Sequence, residues 1–336
     1  MQILQVLIIS AMCAAHSWAA PLTVCTTTTD LGDITRQVGG EHVKVTVFVK
    51  GRDNPHFLEA RPSFIKSMSK ADLFVQIGLE LEIGWVPAIL ASCRNGKVQS
   101  GQPGNLDVGR LVRPKYAATE AVDRGHGDVH AGGSPHYMLD PVYGMRVAEL
   151  IAARLGELRP SAKSDFAANL KRFNGDIGRR LVGERLAAKY DPLKLALLYE
   201  HGRLTDFLKE TGEVDPVGGW IGSMQASAGK FVIVDHDEYR YLLDRFRIKQ
   251  IGELEPKPGI QPSTRHLRKM ITACEKQKCA CILATVYFPP KHAELVSRKC
   301  GVPVIQMAHQ SGSRAEAASY VEMLDNNIAQ LRKGTR

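Results

Sequence analysis

The chain has 336 residues, 44% of them hydrophobic, 24% charged and 7% aromatic, a globular composition that excludes disordered, collagenous and coiled-coil classes. Its length is about twice that of a typical ~150-residue domain, enough for two lobes with a core each. Lys and Arg outnumber Asp and Glu by 44 to 35, giving +9 and an isoelectric point near 9.2. The basic residues are scattered and form no long run, so the excess reads as an ordinary basic surface and not as a nucleic-acid footprint.

The first twenty residues carry no Asp, Glu, Lys or Arg. An apolar run from Ile3 to Ala15 is followed by Ser17-Trp18-Ala19-Ala20, small residues suited to cleavage. This predicts a secretory signal peptide over residues 1–20, too short to span a bilayer, which needs roughly 20 apolar residues. Met12 is too bulky to precede a lipidated Cys13. The mature chain is therefore expected to be exported and soluble, with the periplasm as its expected location; the signal itself supports export only.

In chain order, residues 22–27 form a β-rich run, 30–38 a short helix stopped by Gly39-Gly40, and 43–49 a strand with Val43, Val45, Val47 and Val49 on one face. Pro62 opens a helix, 73–77 is a compact strand, and 80–92 reads as helical. Residues 113–140 hold Gly, Pro, His and charge without period, a long loop of the kind that tends to be functional. It ends at Asp140-Pro141, an N-cap with Pro at the first helical position, and the helix runs to Arg159-Pro160. Phe166, Leu170, Phe173, Ile177 and Leu181 then mark one amphipathic helix over 161–189, about 40 Å long at 1.5 Å per residue. Strands at 230–235, 248–254, 279–285 and 302–307 alternate with helices at 263–276, 290–300 and 315–332. That alternation predicts parallel sheets covered on both faces. The fold class is α/β: two α/β lobes, 21–160 and 190–336, joined by one long rigid helix at 161–189.

Six cysteines remain after cleavage: Cys25, Cys93, Cys274, Cys279, Cys281 and Cys300. An even number in an oxidising compartment favours disulfides. If each lobe pairs internally, Cys25 meets Cys93 and three C-terminal pairings stay open. The competing reading is a thiolate metal site at Cys274, Cys279 and Cys281.

Phosphate-loop, dinucleotide, serine-hydrolase and zinc-protease motifs are all absent from the sequence. Histidines instead stand at predicted strand ends: His56 after 43–49, His236 after 230–235 and His309 after 302–307. His126, His130 and His136 lie in the long loop. Ligands of open α/β sheets bind outside the carboxyl ends of strands, and neutral imidazole suits Zn²⁺. Histidines from both halves can therefore hold one metal between lobes.

Asn54-Pro55-His56-Phe57-Leu58-Glu59-Ala60-Arg61-Pro62-Ser63 resembles a block of the metal-binding solute receptors of ABC transporters, cluster A-I or zinc-uptake type. Ala71-Asp72-Leu73 with Gly78-Leu79-Glu80-Leu81-Glu82 is similar to the block that follows it there. Gly127-Asp128-Val129-His130 with Ser134-Pro135-His136 and Asp140-Pro141 resembles the second-ligand segment, and Val234-Asp235-His236-Asp237-Glu238 the third. Glu255-Pro256-Lys257-Pro258-Gly259 is a further family block, and the likeness runs from about Leu22 to Leu331.

The resemblance implies a non-enzymatic receptor, a monomer that binds Zn²⁺ and delivers it to the membrane permease of an ABC transporter. It implies His56, His136 and His236 as ligands. The family's Asp after the last strand is replaced here by Gln306-Met307-Ala308-His309-Gln310-Ser311-Gly312. Counting back from Gly312 puts His309 at that place; counting forward from Gly301 puts Ala308 there. Asp235, Asp237 and Asp140 are candidates to orient ligating rings, and His126 with His130 for a second, weaker zinc. Mn²⁺ or iron is the competing cargo, disfavoured by an all-nitrogen ligand set. Two other classes are a secreted zinc hydrolase with Glu238 as general base and a metal-stabilised adhesin. The segment 200–229, with Gly218-Gly219-Trp220, is longer than the family's connection and receives no role from the sequence.

Overall fold

The computed structural model describes residues 20–112, 114–116, 132–255 and 260–336. The expected leader up to Ala19, His126, His130 and residues 256–259 lie outside the described residues. Among the described residues, no helix is long and apolar enough to cross a membrane.

Two four-stranded sheets carry the fold, and every strand pairing within them is parallel. The first has the order β2-β1-β3-β4, from β1 Leu22–Thr26, β2 Val43–Val47, β3 Leu73–Gln76 and β4 Asn105–Asp107. The second repeats that plan as β6-β5-β7-β8, from β5 Phe231–Val234, β6 Lys249–Glu253, β7 Cys281–Thr285 and β8 Val304–Met307. Central strands such as β7 are buried at every residue, as expected for a parallel sheet covered by helices on both faces. All seven strands expected from the sequence form; β4, only three residues long, was not foreseen.

Three helices border the first sheet: α1 Thr29–Gly39, α2 Pro62–Met68 and α3 Val86–Ser92. The helix expected over 80–92 begins six residues late. Leu79 and Glu80 take left-handed φ of +52° and +67°. The buried Glu82 carboxyl then accepts hydrogen bonds from Thr27 Oγ1 at 2.6 Å, Ile77 N at 2.8 Å and Gly78 N at 3.1 Å. Those bonds tie the ends of β1 and β3 together and hold residues 78–85 as turns. Burial pushes this carboxyl up to about 7.

Next come α4 Pro141–Leu158 and α5 Lys163–Val182, packed side by side. As expected, Asp140 caps α4, accepting from Val142 N at 2.9 Å. Helix α5 starts on the first lobe, where Asp165 meets His42 at 2.8 Å and Asn169 donates to Val38 O at 3.0 Å. It ends on the second, where Arg180 pairs with Asp325. The single helix expected over 161–189 is corrected: α5 has 20 residues, about 30 Å, and α6 Glu184–Lys189 is separate. Gly183 breaks them at φ +85°. A Cβ there would sit 3.0 Å from Gly218 Cα, and one on Gly219 would sit 2.3 Å from Arg180 O. Gly218-Gly219 thus serves a close crossing of two backbones.

The long connection is helical: α7 Pro192–Glu200, α8 Leu204–Glu210 and α9 Gly219–Met224. Then α10 Arg240–Arg245, α11 Thr264–Gln277, α12 Lys291–Cys300 and α13 Tyr320–Gly334 complete the second lobe. The last helix starts five residues later than expected, at a Ser319–Glu322 capping box. One apolar cluster runs through both lobes, from Val24 and Leu106 through Ile151 and Ile177 to Val234 and Leu324.

The expected disulfides are not formed: Cys25, Cys93, Cys274, Cys279, Cys281 and Cys300 are free thiols. Cys25 and Cys93 pack with Phe74 and Trp85, and Cys274 and Cys279 with Ile233 and Met270. Burial pushes the Cys25, Cys281 and Cys300 thiols up to about 12, away from the thiolate that exchange or metal binding requires. They act as small apolar side chains.

A buried ion pair joins the lobes. Arg245, 2% exposed, donates to both Asp140 oxygens at 3.0 and 2.9 Å, to Ala196 O at 3.1 Å and to Glu200 at 3.0 Å. Replacing Arg245 by Met leaves Asp140 buried without its counter-charge, at a cost of about 3–5 kcal/mol. The expected outcome is a clear drop in the urea midpoint for Arg245→Met. Arg245→Met combined with Asp140→Asn, which keeps the helix cap, should recover much of it; equal midpoints for wild type and Arg245→Met would refute the assignment.

Candidate metal centre

The carboxyl ends of both sheets face one cleft, and the sequence puts a histidine after a strand three times there. His56 follows β2 on a turn built by Asn54, whose Oδ1 accepts from the His56 backbone N–H at 3.0 Å and from Nδ1–H at 2.9 Å. Trp85 Nε1 donates to Pro55 O at 3.0 Å and pins that turn from behind. The Nδ1 proton is thereby fixed and the lone pair lies on Nε2.

His136 opens a tight turn, His136–Leu139, that leads into Asp140. Tyr137 Oη donates to Ile77 O at 2.6 Å and Tyr320 Oη to Met138 O at 2.7 Å, so the turn is clamped from both lobes. His236 lies two residues past the end of β5. Its neighbour Asp235 accepts from Thr285 N at 2.9 Å, and its own Nδ1–H donates to Glu255 O at 3.2 Å, again leaving the lone pair on Nε2.

His309 follows β8. Its Nε2–H donates to Asp53 O of the first lobe at 3.1 Å, while Nδ1 is buried and has no hydrogen-bond partner among the described residues. Burial drives its pKa down to about 4, with the neighbouring His56 acting in the same direction; the ring is neutral near pH 7. Ala308 is fully buried, its backbone clasped by Asn327 at 2.8 and 2.7 Å. Of the two residues that the sequence count left open, it is His309 whose side chain reaches the cleft.

The rings are neighbours. His56 and His136 centroids are 5.2 Å apart, and His136 and His236 centroids 6.4 Å. A cavity of about 30 Å³, room for one water or ion, is lined by His136, His309, Gln310, Glu238, Tyr287 and Asp30 among others. Among the described residues, no three His, Cys, Asp or Glu side chains converge closely enough to enclose an ion. A tetrahedral zinc draws its nitrogens to within about 3.3 Å of one another, and the set here is wider.

The aspartates expected to orient the rings are engaged elsewhere: Asp140 with Arg245, Asp235 with Thr285, and Asp237 with Arg240 at 2.8 Å. The ring nitrogens of His56, His236 and His309 are held instead by Asn54 Oδ1, Glu255 O and Asp53 O. Two of these are backbone carbonyls, which every residue carries, so only Asn54 had a sequence signal.

The rims of the cleft also touch. Gln310 Nε2 donates to Lys50 O, Gly51 O and Asp53 O at 3.1–3.2 Å. Ser311 N donates to Asp30 at 2.7 Å, and Thr29 Oγ1 to Ser311 O at 2.7 Å. A Cβ on Gly51 would fall 2.2 Å from Gly312 C, so the two backbones approach as only glycine allows.

Comparison with known proteins follows the same lines. A sequence model of the family described as "Zinc-uptake complex component A periplasmic" matches residues 24–180 and 206–334. The high-affinity zinc uptake system protein ZnuA of Yersinia pestis is 23% identical over 310 residues, covering 89% of this chain and 86% of its own length. The zinc-binding lipoprotein AdcA of Streptococcus pneumoniae is 23% identical over 322 residues, 94% of this chain and 56% of AdcA. A zinc-bound ZnuA deletion mutant shares the fold with a TM-score of 0.68 at 19% identity, covering 94% of this chain and 98% of that one. With most of its length inside the family match, the chain belongs to the family of periplasmic A components of zinc-uptake complexes.

Proposed function

We propose that the chain is an exported zinc receptor that passes Zn²⁺ to the membrane permease of an ABC transporter. The ligands are His56, His136, His236 and His309. The reading rests on one observation above all: imidazoles from both lobes are ring neighbours at the strand ends, with the protons of His56, His236 and His309 each committed to an oxygen. A ligand needs its lone pair, and those three rings are held in the tautomer that points one inward. Zn²⁺ is the cargo, not a resident cofactor. Four neutral nitrogens add no charge, which favours Zn²⁺ over harder Mn²⁺. The protein works as a monomer in the periplasm, with a leader at 1–20, a first lobe at 21–160, a linking segment at 161–189 and a second lobe at 190–336.

Glu238 lines the same small cavity, which gives the hydrolase reading a candidate base. Its carboxylate accepts from Thr285 Oγ1 at 2.9 Å, and Tyr239 Oη lies 2.6 Å from that hydroxyl. This is a buried network bracing the base of the cleft. No bond is made or broken on the metal.

Chelator-stripped protein should take up one tight Zn²⁺ by calorimetry at neutral pH. Affinity should fall as pH drops through the ordinary histidine range near ~6.5, because protons compete for the ligand nitrogens. His56→Ala, His136→Ala and His236→Ala should each weaken binding on the order of 10²-fold or more; a residue whose loss leaves affinity intact is not a ligand. Asn54→Ala, which keeps all four imidazoles, should cost about 10–100-fold by freeing the His56 ring. His309→Asp should shift preference toward Mn²⁺, and X-ray absorption should give Zn–N distances of ~2.0–2.1 Å for the native set. A deletion strain that grows normally under zinc limitation, or zinc-dependent turnover of a hydrolysable substrate, would overturn the receptor reading.

A further inference from the structure

The second lobe has a cavity lined by none of the residues of the histidine cleft. Its volume is about 240 Å³, and Tyr199, Leu204, Thr205, Val217, Ala228 and Arg247 are among its walls. None of these residues belongs to the cleft. Tyr199, Leu204 and Thr205 lie in residues 181–205, the internal stretch that the family match passes over.

Two polar groups in this cavity are incomplete. Tyr199 is 7% exposed, and its hydroxyl is buried with no hydrogen-bond partner among the described residues. Such a group is costly in an apolar setting and calls for a partner. Arg247 is exposed, and among the described residues no carboxylate pairs with it. Its charge is felt at Tyr199: burial raises the phenol above its ordinary range, and Arg247 followed by Arg245 pulls the other way. Arg245 is already committed to Asp140 and Glu200; Arg247 is not.

The backbone at Arg247 is also unusual. It takes φ +59° just beyond α10, a helix-end position that glycine favours. Its N–H donates to Asp244 O at 3.0 Å and its carbonyl accepts from Gly229 N at 2.8 Å, so the side chain is presented from a fixed turn.

We propose that this cavity binds a small organic carboxylate, its charge on the Arg247 guanidinium and the Tyr199 hydroxyl and its body against Leu204, Val217 and Ala228. A planar guanidinium fork matches a carboxylate in two parallel hydrogen bonds, and the phenol supplies a further donor. One cation suits a monoanion better than a phosphate dianion. The volume falls below the ~300–1,000 Å³ of pockets for drug-sized ligands, which limits the guest to a compact acid. This site stands independently of the metal centre.

Benzoate and its uncharged analogue benzamide separate charge recognition from apolar filling. With the full mature chain, zinc-loaded and zinc-free, benzoate should receive saturation transfer from the protein and titrate with a millimolar dissociation constant. Benzamide should bind at least about tenfold more weakly. Arg247→Gln should lower benzoate affinity about tenfold, and so should Tyr199→Phe, which removes a single oxygen and leaves the fold intact. Zinc affinity should be unchanged in both variants. Absence of any benzoate signal, equal binding of benzoate and benzamide, or undiminished binding to both variants would overturn the proposal.

Discussion

The pairing of Arg245 with Asp140 is the constraint on which the site depends. Asp140 ends the turn that carries His136 and caps α4; Arg245 ends the helix that begins four residues after His236. One buried guanidinium therefore fixes the distance between a histidine of the first lobe and a histidine of the second. It also holds Ala196 O and Glu200, and Glu200 in turn holds Lys115 at 2.6 Å. Buried ion pairs add little net stability when their desolvation is counted, but removing one partner is severe. The pair acts here as a register device: any slip of the lobes would strand a charge in the core.

Around that node the histidine rings are set mostly by main-chain oxygen. A backbone carbonyl moves only when its strand or loop moves, so ring orientation is coupled to the relative position of segments. His309 is the clearest instance, because its ring belongs to the second lobe and the carbonyl that orients it to the first. The geometry of the proposed ligand rings therefore follows the seating of the lobes without a charged orienting residue.

How far this was legible in the sequence depends on the range of the forces. Asp140-Pro141 announced a cap through chemistry confined to three residues, and Asn54-Pro55-His56 carried its own turn. The alternation of strands and helices gave both sheets, since parallel strands advertise burial through continuous apolar runs. The break at Gly183 was hidden, because Phe166 to Leu181 kept helical period up to it and the cause is a crossing with Gly218-Gly219. Leu79 and Glu80 gave no local hint of left-handed backbone; Glu82, bonded across two strands, imposes it. Strand β4 is too short to show alternation. The partnership of Arg245 with Asp140 spans 105 positions, and no local pattern reveals it.

The contact of Gly51 with Gly312 bears on time as well as on geometry. Two rims locked by Gln310 across three carbonyls, over one apolar cluster common to both lobes, make the cleft a poor candidate for spontaneous wide opening. An ion held by the proposed imidazoles would leave only when that local seam parts, so its residence time would be governed by the seam and its equilibrium affinity by the rings. The two quantities can be tuned by different residues. A partner that took the ion from such a seat would accelerate departure by prying at the rim, in the manner of a catalyst, without having to outcompete the proposed ligands for the metal.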